Sequence, residues 1–242
     1  MERTETFTGC DFRYTYDDTL FPPGTDSFLL SSFPSLKPGL RVCDLGCGAG
    51  LLGLLLLRRE PALSVCGVEL DPTAARLARH NIEQNRLQGR MQVYAGDLRD
   101  PKLLPAGQWD LAISNPPYYA AGSGALPRSA GLQPARAELN CTLDALCRSA
   151  ARLVRWGGRI CLVHKPERLV DTLCALRAAG AEPKRLRWVC QRAEAAPSLV
   201  LIEGRRGGRP GLRTEPPLIL TRDGAPTPEV NALYHRTQEE PS

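Results

Sequence analysis

Short apolar runs alternate with longer amphipathic segments along this chain of 242 residues. Five runs have the length and composition of buried strands: Leu40–Leu45, Leu63–Leu70, Met91–Ala95, Trp109–Ser114 and Arg159–His164. Helices are predicted between them, over Ala49–Arg59, Pro72–Arg86, Pro134–Arg155 and Pro166–Ala179. This alternation is typical of βαβ units and predicts an α/β fold with a doubly wound, mostly parallel sheet.

The sheet is expected to end in an antiparallel pair of strands, Leu186–Gln191 and Ser198–Glu203, because their connection is too short for a helix. These two complete a predicted sheet of seven strands. The stretch Gly122–Gln133 is rich in glycine, serine and alanine and is predicted to be a mobile loop.

One core domain is expected over residues 37–204. Residues 1–36 would be an N-terminal extension that covers the ligand site of this core. Residues 205–242 are rich in glycine, proline and arginine and are predicted to be mostly irregular, apart from an apolar patch at Pro217–Leu220. This basic C-terminal segment is expected to pack on the core and to end in disordered residues.

Composition excludes several classes of protein. The longest uncharged apolar run, Leu45–Leu57, is shorter than the ~18 residues of a membrane span, and the N-terminus lacks the apolar region of a secretion signal. The nine cysteines are odd in number and form no CxxC pair, which favours reduced thiols in a cytoplasmic protein. The histidines and cysteines lack the spacing of a metal site, so no metal is expected.

Positive charge is concentrated towards the C-terminus. The net charge is +5, and residues 184–213 hold eight lysines and arginines but two acids. Such a segment favours a polyanionic partner, with a solvated basic face as the alternative. The candidate contacts to a phosphate backbone are Lys184, Arg185, Arg187 and Arg192.

A glycine-rich loop follows the first core strand and opens a helix. After Asp44 it contains Gly46, Cys47, Gly48 and Gly50. Glycines let a ligand approach the backbone closely, and the helix start offers free N–H groups. Gly48, Gly50 and Gly53 also fit the dinucleotide fingerprint, which leaves NAD open. Asp44, however, would repel a pyrophosphate and attract an ammonium group, which favours S-adenosylmethionine with its amino-acid head.

Acidic residues also follow the next two strands. Glu69 closes the second strand, about 20 residues after the glycine loop, where an acid can accept both ribose hydroxyls. Asp97 follows the third strand and is placed to accept from an adenine amino group. An acid at three consecutive strand ends is a stronger signal than the glycines alone.

The fourth strand is followed by Asn115, Pro116, Pro117 and Tyr118. The two prolines remove two N–H donors and stiffen the loop. An exocyclic amine is a weak nucleophile that needs two acceptors for its hydrogens, and the Asn115 side-chain oxygen and the Pro116 carbonyl can supply them. The same oxygens would stabilise the cationic nitrogen that forms on methylation. Tyr118 offers a ring on which a flipped base can stack.

These motifs, in this order, resemble the class I S-adenosylmethionine-dependent methyltransferases, and the Asn-Pro-Pro-Tyr loop resembles their amino-methylating branch. Other segments are similar to the bacterial family that methylates adenine N6 in the anticodon loop of a valine tRNA. These segments are Gly24–Leu30, Ala135–Glu138, Gly157–Arg159, His164–Leu169, Glu182–Arg187 and Pro216–Leu220. The resemblance covers about residues 11–235 and implies a Rossmann-like methyltransferase sheet.

The resemblance also implies roles for individual residues. Those that would bind the cofactor are Asp44, Gly46, Cys47, Gly48, Gly50, Glu69, Leu70, Asp97, Leu98 and Asn115. Those that would act on the target amine are Asn115, Pro116, Pro117 and Tyr118. Those that would contact RNA are Tyr118, Tyr119, Arg136, Lys184, Arg185, Arg187 and Arg192. Arg136 either touches RNA or pairs with Glu138, and His164 is expected to be structural because the chemistry needs no imidazole.

The predicted function is therefore S-adenosylmethionine-dependent adenine-N6 methylation of tRNA or another structured RNA, by a protein expected to be monomeric. Protein-glutamine N5 methylation of a release factor is an alternative, since a planar amide suits the same loop. That family has a helical docking domain before the glycine loop, whereas residues 1–43 show no helical periodicity here. DNA adenine methylation and a catalytically silent RNA-binding module are the remaining alternatives.

Overall fold

The computed structural model describes residues 1–7, 12–18, 23–116 and 141–234. The strands are β1 (Glu2–Thr6), β2 (Arg13–Asp17), β3 (Arg41–Leu45), β4 (Ser64–Glu69), β5 (Met91–Ala95), β6 (Trp109–Ser114), β7 (Val154–His164), β8 (Ala181–Cys190), β9 (Pro197–Arg206), β10 (Arg213–Ile219), β11 (Thr221–Arg222) and β12 (Ala225–Pro226). The helices are α1 (Thr25–Ser32), α2 (Leu51–Arg59), α3 (Pro72–Gln84), α4 (Leu143–Leu153), α5 (Leu169–Ala178) and α6 (Pro228–Tyr234), with a 3-10 turn over Pro166–Arg168.

A central sheet organises the described residues. Its order is β10-β8-β9-β7-β6-β3-β4-β5, and β3 to β7 are mutually parallel. Strand β9 is antiparallel to both β7 and β8, whereas β10 is parallel to β8. The predicted α/β class, the mostly parallel sheet and the antiparallel pair β8–β9 are confirmed.

The sheet has one strand more than the sequence indicated. Residues 213–219 form the edge strand β10 on β8, within the segment that is predicted to be mostly irregular apart from its apolar patch at Pro217–Leu220. The pair Pro216-Pro217 concealed this strand, because prolines disfavour central strands but are tolerated at an edge. The register of β10 indeed shifts between Glu215 and Leu218, around the two prolines.

Several element bounds differ from those predicted. Helix α2 begins at Leu51 rather than Ala49, and β7 begins at Val154, five residues before the predicted Arg159. Helix α4 begins at Leu143, where the Thr142 hydroxyl caps the N–H of Ala145. The start of the predicted helix at Pro134, the loop Gly122–Gln133 and the chain end after residue 234 lie outside the described residues.

Two apolar cores lie on opposite faces of the sheet. Successive residues of β3 alternate between them, so that Val42 packs with α2 on one face and Cys43 packs on the other. The leucines of α2 are all buried, because this helix also packs against α1. None of the helices in the described ranges combines the length and the apolar character that a membrane crossing requires.

An N-terminal hairpin, β1–β2, is fastened to the core by a buried asparagine. Asn81 of α3 is fully buried; its Oδ1 accepts from the N–H of Thr15, and its Nδ2 donates to the carbonyls of Thr15 and Ala49. Ala49 belongs to the glycine-rich loop. One side chain therefore connects the N-terminal hairpin to the loop that opens α2.

A partly buried ion network fixes the other end of the sheet. The Arg185 guanidinium on β8 donates to Glu203 at 3.2 Å, to Glu215 at 3.1 Å and to the carbonyl of Phe33 at 2.6 Å. It also lies 4.0 Å from the centre of the Phe33 ring. Arg185 thus joins β8, β9 and β10 to the segment that follows α1.

Replacement of Arg185 is expected to destabilise the protein. The Arg185→Ala change leaves Glu215 without its ion-pair partner and Glu203 with Arg159 alone, at 3.5 Å. Loss of one partner from a buried ion pair costs about 3–5 kcal/mol, and the partial exposure of this network reduces the expected loss to about 2–4 kcal/mol. Chemical denaturation should show this loss, whereas Arg192→Ala, at an exposed position, should change stability by less than about 0.5 kcal/mol. Equal stabilities of the two variants would contradict this assignment.

Candidate active site

Three strand ends bring the predicted site residues to one edge of the sheet. In the parallel register Asp44 lies beside Gly67 of β4 and Ile113 of β6. The Ser114 hydroxyl donates to the carbonyl of Leu45 at 2.6 Å, which ties the ends of β6 and β3 together. Asp44, Glu69 and Asn115 therefore converge where ligands bind in open α/β sheets.

The glycine-rich loop has the conformation that its glycines predict. Gly46, Gly48 and Gly50 have φ values of 73°, 54° and 87°, in the left-handed region that other residues rarely adopt. The N–H groups of Gly46 and Cys47 donate to the carbonyl of Val68, which holds the loop against β4. A Cβ placed on Gly46 or Gly48 would meet no atom within 4 Å, so there is open space beside the loop.

Glu69 binds the loop through both of its oxygens. Its Oε2 accepts from the N–H of Gly48, and its Oε1 from the N–H of Asp71, each at 2.8 Å. Burial raises the pKa of Glu69 above its usual range, while these two N–H groups act in the opposite direction. Glu69 therefore fixes the loop in this structure, and its role towards a ribose stays a prediction.

Asp44 is a buried acid with an unsatisfied oxygen. The residue is 1% exposed, and its Oδ2 has no hydrogen-bond partner among the described residues. Burial, and next the nearby charge of Glu69, raise the pKa of Asp44 to about 8. A buried polar atom without a partner carries a free-energy cost, which a ligand with a positive charge or an N–H donor removes.

The third predicted acid has a different environment. Asp97 follows β5, and its carboxylate accepts from Nε of Arg99 at 2.9 Å. The hydrogen bonds from Arg99 lower the pKa of Asp97, whose side chain is 33% exposed. Leu98 is partly buried, whereas Leu70 is 47% exposed beside Glu69 and offers an apolar surface. The predicted contacts of these residues with an adenosyl group stay predictions.

Asn115 is held by a residue of the N-terminal segment. Its Nδ2 donates to the hydroxyl of Ser27, in the first turn of α1, at 3.1 Å. In this orientation the NH2 end of the amide faces Ser27, and the amide oxygen is turned away from it. Pro116 is described next to Asn115, whereas Pro117, Tyr118, Tyr119 and Arg136 lie outside the described residues.

His164 has the structural environment that the sequence suggests. It ends β7, is 2% exposed, and accepts the N–H of Lys165 at its Nδ1. Burial, followed by the charge of Arg168, lowers the pKa of His164 to about 4. The imidazole is therefore neutral at neutral pH.

The four predicted RNA-binding cations have different environments. Arg187 pairs with Glu229 at 2.7 Å, and Arg185 belongs to the ion network described above. Lys184 donates to the carbonyl of Arg209. Arg192 is exposed and follows the end of β8, at the same edge of the sheet as Asn115. Of the four, Arg192 has the position that best suits an RNA contact.

Sequence reasoning missed two positioning residues, Asn81 and Ser27. Asn81 had a detectable signal: it is a polar residue on the face of α3 that otherwise carries Ala74, Leu77 and Ala78 at helical spacing. Ser27 lies within a segment that had been singled out, but its contact with Asn115 joins positions 88 residues apart. No local pattern predicts such a pairing.

Comparison with known proteins identifies the sequences that this chain resembles. The family model for the methyltransferase small domain matches residues 21–173. A tRNA1(Val) (adenine(37)-N6)-methyltransferase from Tolumonas auensis is 34% identical over 232 residues, which are 96% of this chain and 89% of that protein. The protein of the same name from Dickeya chrysanthemi is 34% identical over 210 residues, with coverages of 85% and 81%.

Solved structures share the fold. A crystal structure described as a predicted O-methyltransferase from Agrobacterium tumefaciens has a TM-score of 0.72 at 22% identity, and the match covers 87% of this chain and 96% of that one. The 16S rRNA N2 G1207 methyltransferase of T. thermophilus, in complex with AdoMet and guanosine, has a TM-score of 0.60 at 21% identity, with coverages of 85% and 50%.

The raised pKa of Asp44 predicts a pH-dependent gain in stability for Asp44→Asn. The unfolded chain releases this proton near pH 4, whereas the folded protein keeps it to about pH 8, so Asp44 increasingly destabilises the fold between these values. Asparagine cannot ionise. The gain in the free energy of unfolding of the variant over wild type should therefore be larger at pH 8 than at pH 5, by on the order of 2–4 kcal/mol, when both are unfolded without ligand.

Asp144→Asn, at an exposed position in the first turn of α4, is the control and should show no such difference. An identical stability change for Asp44→Asn at both pH values would contradict the proposed burial cost.

Proposed function

Because the chain belongs to the methyltransferase small domain family and to the family of the tRNA1(Val) (adenine(37)-N6)-methyltransferases, we propose that it methylates the exocyclic N6 amine of an adenine in a tRNA anticodon loop, with S-adenosylmethionine as methyl donor. The observation that carries this proposal is the placement of an anchored Asn115 amide at the same sheet edge as the buried, unsatisfied Asp44 carboxyl.

The residues at this edge suit S-adenosylmethionine. The unpartnered Oδ2 of Asp44 would accept from its ammonium group, and the open space at Gly46 and Gly48 would admit its methionine moiety. Glu69 and Leu70 would contact the ribose, and Asp97 with Leu98 the adenine ring. When bound, S-adenosylmethionine supplies an electrophilic methyl group on a sulfonium sulfur.

Asn115 and Pro116 would hold the target amine. The bond from Nδ2 of Asn115 to Ser27 directs the amide oxygen away from Ser27, and the Pro116 carbonyl is a second acceptor. Two acceptors bind the two N6 hydrogens, orient the nitrogen lone pair and stabilise the positive charge that develops on the nitrogen. Tyr118 would stack on the flipped base, with Pro117 stiffening the loop.

Arg192 would contact the RNA backbone near the target base. It is exposed at the edge where Asn115 lies, and a guanidinium there strengthens binding to phosphates. Tyr119 and Arg136 follow Tyr118 in the chain and are proposed as further RNA contacts.

Purified protein with S-adenosylmethionine and an unmodified tRNA1(Val) transcript should form N6-methyladenosine at position 37, as measured by nucleoside mass spectrometry and mapping. The Asn115→Ala variant should lose at least about 100-fold in kcat, because one of the two acceptors is absent in the transition state. Its affinity for S-adenosylhomocysteine, measured by calorimetry, should remain within about threefold of the wild-type value.

The same preparation incubated with a bacterial release factor separates the two enzymatic alternatives. Methyl transfer to a glutamine of that factor, without methylation of the tRNA, would overturn the proposal. N6-methyladenosine at another tRNA position would support the proposed activity but would assign a different target nucleotide.

Ser27→Ala should lower kcat about 10-fold, because the Asn115 amide then loses one of the hydrogen bonds that orient it towards the target amine. Affinity for S-adenosylhomocysteine and the melting temperature should remain close to wild type, since the hydroxyl of Ser27 is a peripheral contact of α1.

Ser27→Thr is the matched control, because it keeps a hydroxyl at the same position and should recover most of the activity. A loss of activity in Ser27→Thr as large as that in Ser27→Ala would show that the hydroxyl does not act by orienting Asn115.

A further inference from the structure

A tryptophan is held at the surface far from the candidate active site. Trp156 lies near the amino end of β7 and is 74% exposed, whereas Trp109 is 5% exposed and Trp188 is partly buried. A large ring gains about 25 cal/mol per Å² of apolar surface when buried, so this exposure sacrifices a sizeable stabilisation. Single exposed apolar side chains are common at protein surfaces, so the neighbours of Trp156 decide whether its ring can bind a ligand.

The ring rests on the backbone at the end of β9. A Cβ added to Gly207 would overlap Cζ2 of Trp156, so the close approach requires glycine, which also has a positive φ of 65°. Arg205 of β9 donates from Nε to the carbonyl of Gly157, the residue that follows Trp156, at 3.1 Å. Contact with Gly207 therefore covers part of the ring and leaves the remainder open to solvent.

Two arginines at the end of β9 keep their charge uncompensated. Arg206 donates to the carbonyl of Val154 at 2.6 Å, and within the described ranges neither Arg205 nor Arg206 forms an ion pair. Carbonyls orient these two guanidinium groups without neutralising them. Arg155, in contrast, pairs with Asp110 at 2.6 Å, as Arg185 and Arg187 pair with glutamates.

We propose that Trp156 with Arg205 and Arg206, here called the Trp156 surface, binds the tRNA outside the loop that contains the target adenine. An unpaired base would stack on the indole, and neighbouring phosphates would bind the guanidinium groups, as in proteins that hold single-stranded RNA. This proposal rests on the proposed function for the identity of the RNA.

The fold separates the Trp156 surface from the target adenine. Strand β7 is parallel to β6, with Leu162 beside Ser114 and Val154 beside Trp109, and Trp156 lies in the irregular stretch between Val154 and Arg159. It is therefore displaced towards the opposite edge of the sheet by three to five β6 residues, which at ~3.3 Å per residue is about 10–16 Å. The Trp156 surface must therefore contact a different part of the RNA.

Tryptophan fluorescence tests the contact directly. The chain has three tryptophans, and the full-length tRNA1(Val) transcript should quench the exposed one and protect it from acrylamide. Trp156→Phe keeps an aromatic ring but removes the indole fluorescence at this position. The fluorescence change on RNA addition should therefore disappear in this variant, while its Kd for the transcript remains within about threefold of the wild-type value.

Affinity measurements test the energetic role. Trp156→Ala should raise the Kd for the full-length transcript about 10-fold, the scale of one lost base-stacking contact, and should raise the Kd for the isolated anticodon stem-loop much less. Arg205→Gln should reduce the slope of log Kd against log salt by about one. Arg79→Gln is the matched control, because Arg79 also donates to a carbonyl, that of Val93, but lies on α3. The slope of log Kd against log salt for this variant should equal that of the wild-type protein.

Wild-type affinity in Trp156→Ala together with unchanged fluorescence on RNA addition would overturn the proposal. A Trp156-dependent dimer in sedimentation without RNA, with no RNA protection, would also overturn it and would assign the surface to a second copy of the chain. If the wild-type protein methylates no tRNA but RNA still protects Trp156, the proposed function fails while the RNA-binding surface stands.

Discussion

The buried carboxyl group of Asp44 is the constraint on which the site depends. A buried carboxylate with an unsatisfied oxygen is costly, and the charge of Glu69 nearby adds to that cost. The fold can hold it because β3 is flanked by β4 and β6, whose hydrogen bonds fix the backbone of Asp44 on both sides. A ligand with a positive group removes the cost, so ligand binding and stability are coupled through this one side chain.

The environment of each arginine decides its function more than its presence in a basic segment. The carboxylates that neutralise Arg185 and Arg187 belong to Glu203, Glu215 and Glu229, which are 18, 30 and 42 residues away in sequence. Arg205 and Arg206 belong to the same basic segment but donate to carbonyls instead. A charge count along the chain cannot separate these two cases, because tertiary pairing determines which charges remain.

Local patterns predicted the features that local chemistry determines. The strand ends at Asp44, Glu69 and Asn115 and the left-handed glycines of the loop follow from apolar runs and backbone sterics. Strand β10 was concealed by Pro216 and Pro217, which only an edge position accommodates. The anchoring of Asn115 by Ser27 and of Thr15 by Asn81 joins distant segments. Helical periodicity marks Asn81 as a polar residue on a buried face, but no local pattern identifies the partner of either residue.

Strand β7 connects the two proposed RNA contacts and fixes the distance between them. Its carboxyl end lies at the edge that holds Asn115, and its amino end holds Trp156. Residues Ile160–Val163 are fully buried and hydrogen-bonded to β6 and β9 on both sides, so the strand cannot bend or slide without breaking the core. On these proposals, an RNA must span a fixed length to engage both ends. A short RNA with the same target adenine engages one end only, so the rigid sheet adds selection by RNA shape to recognition of the base.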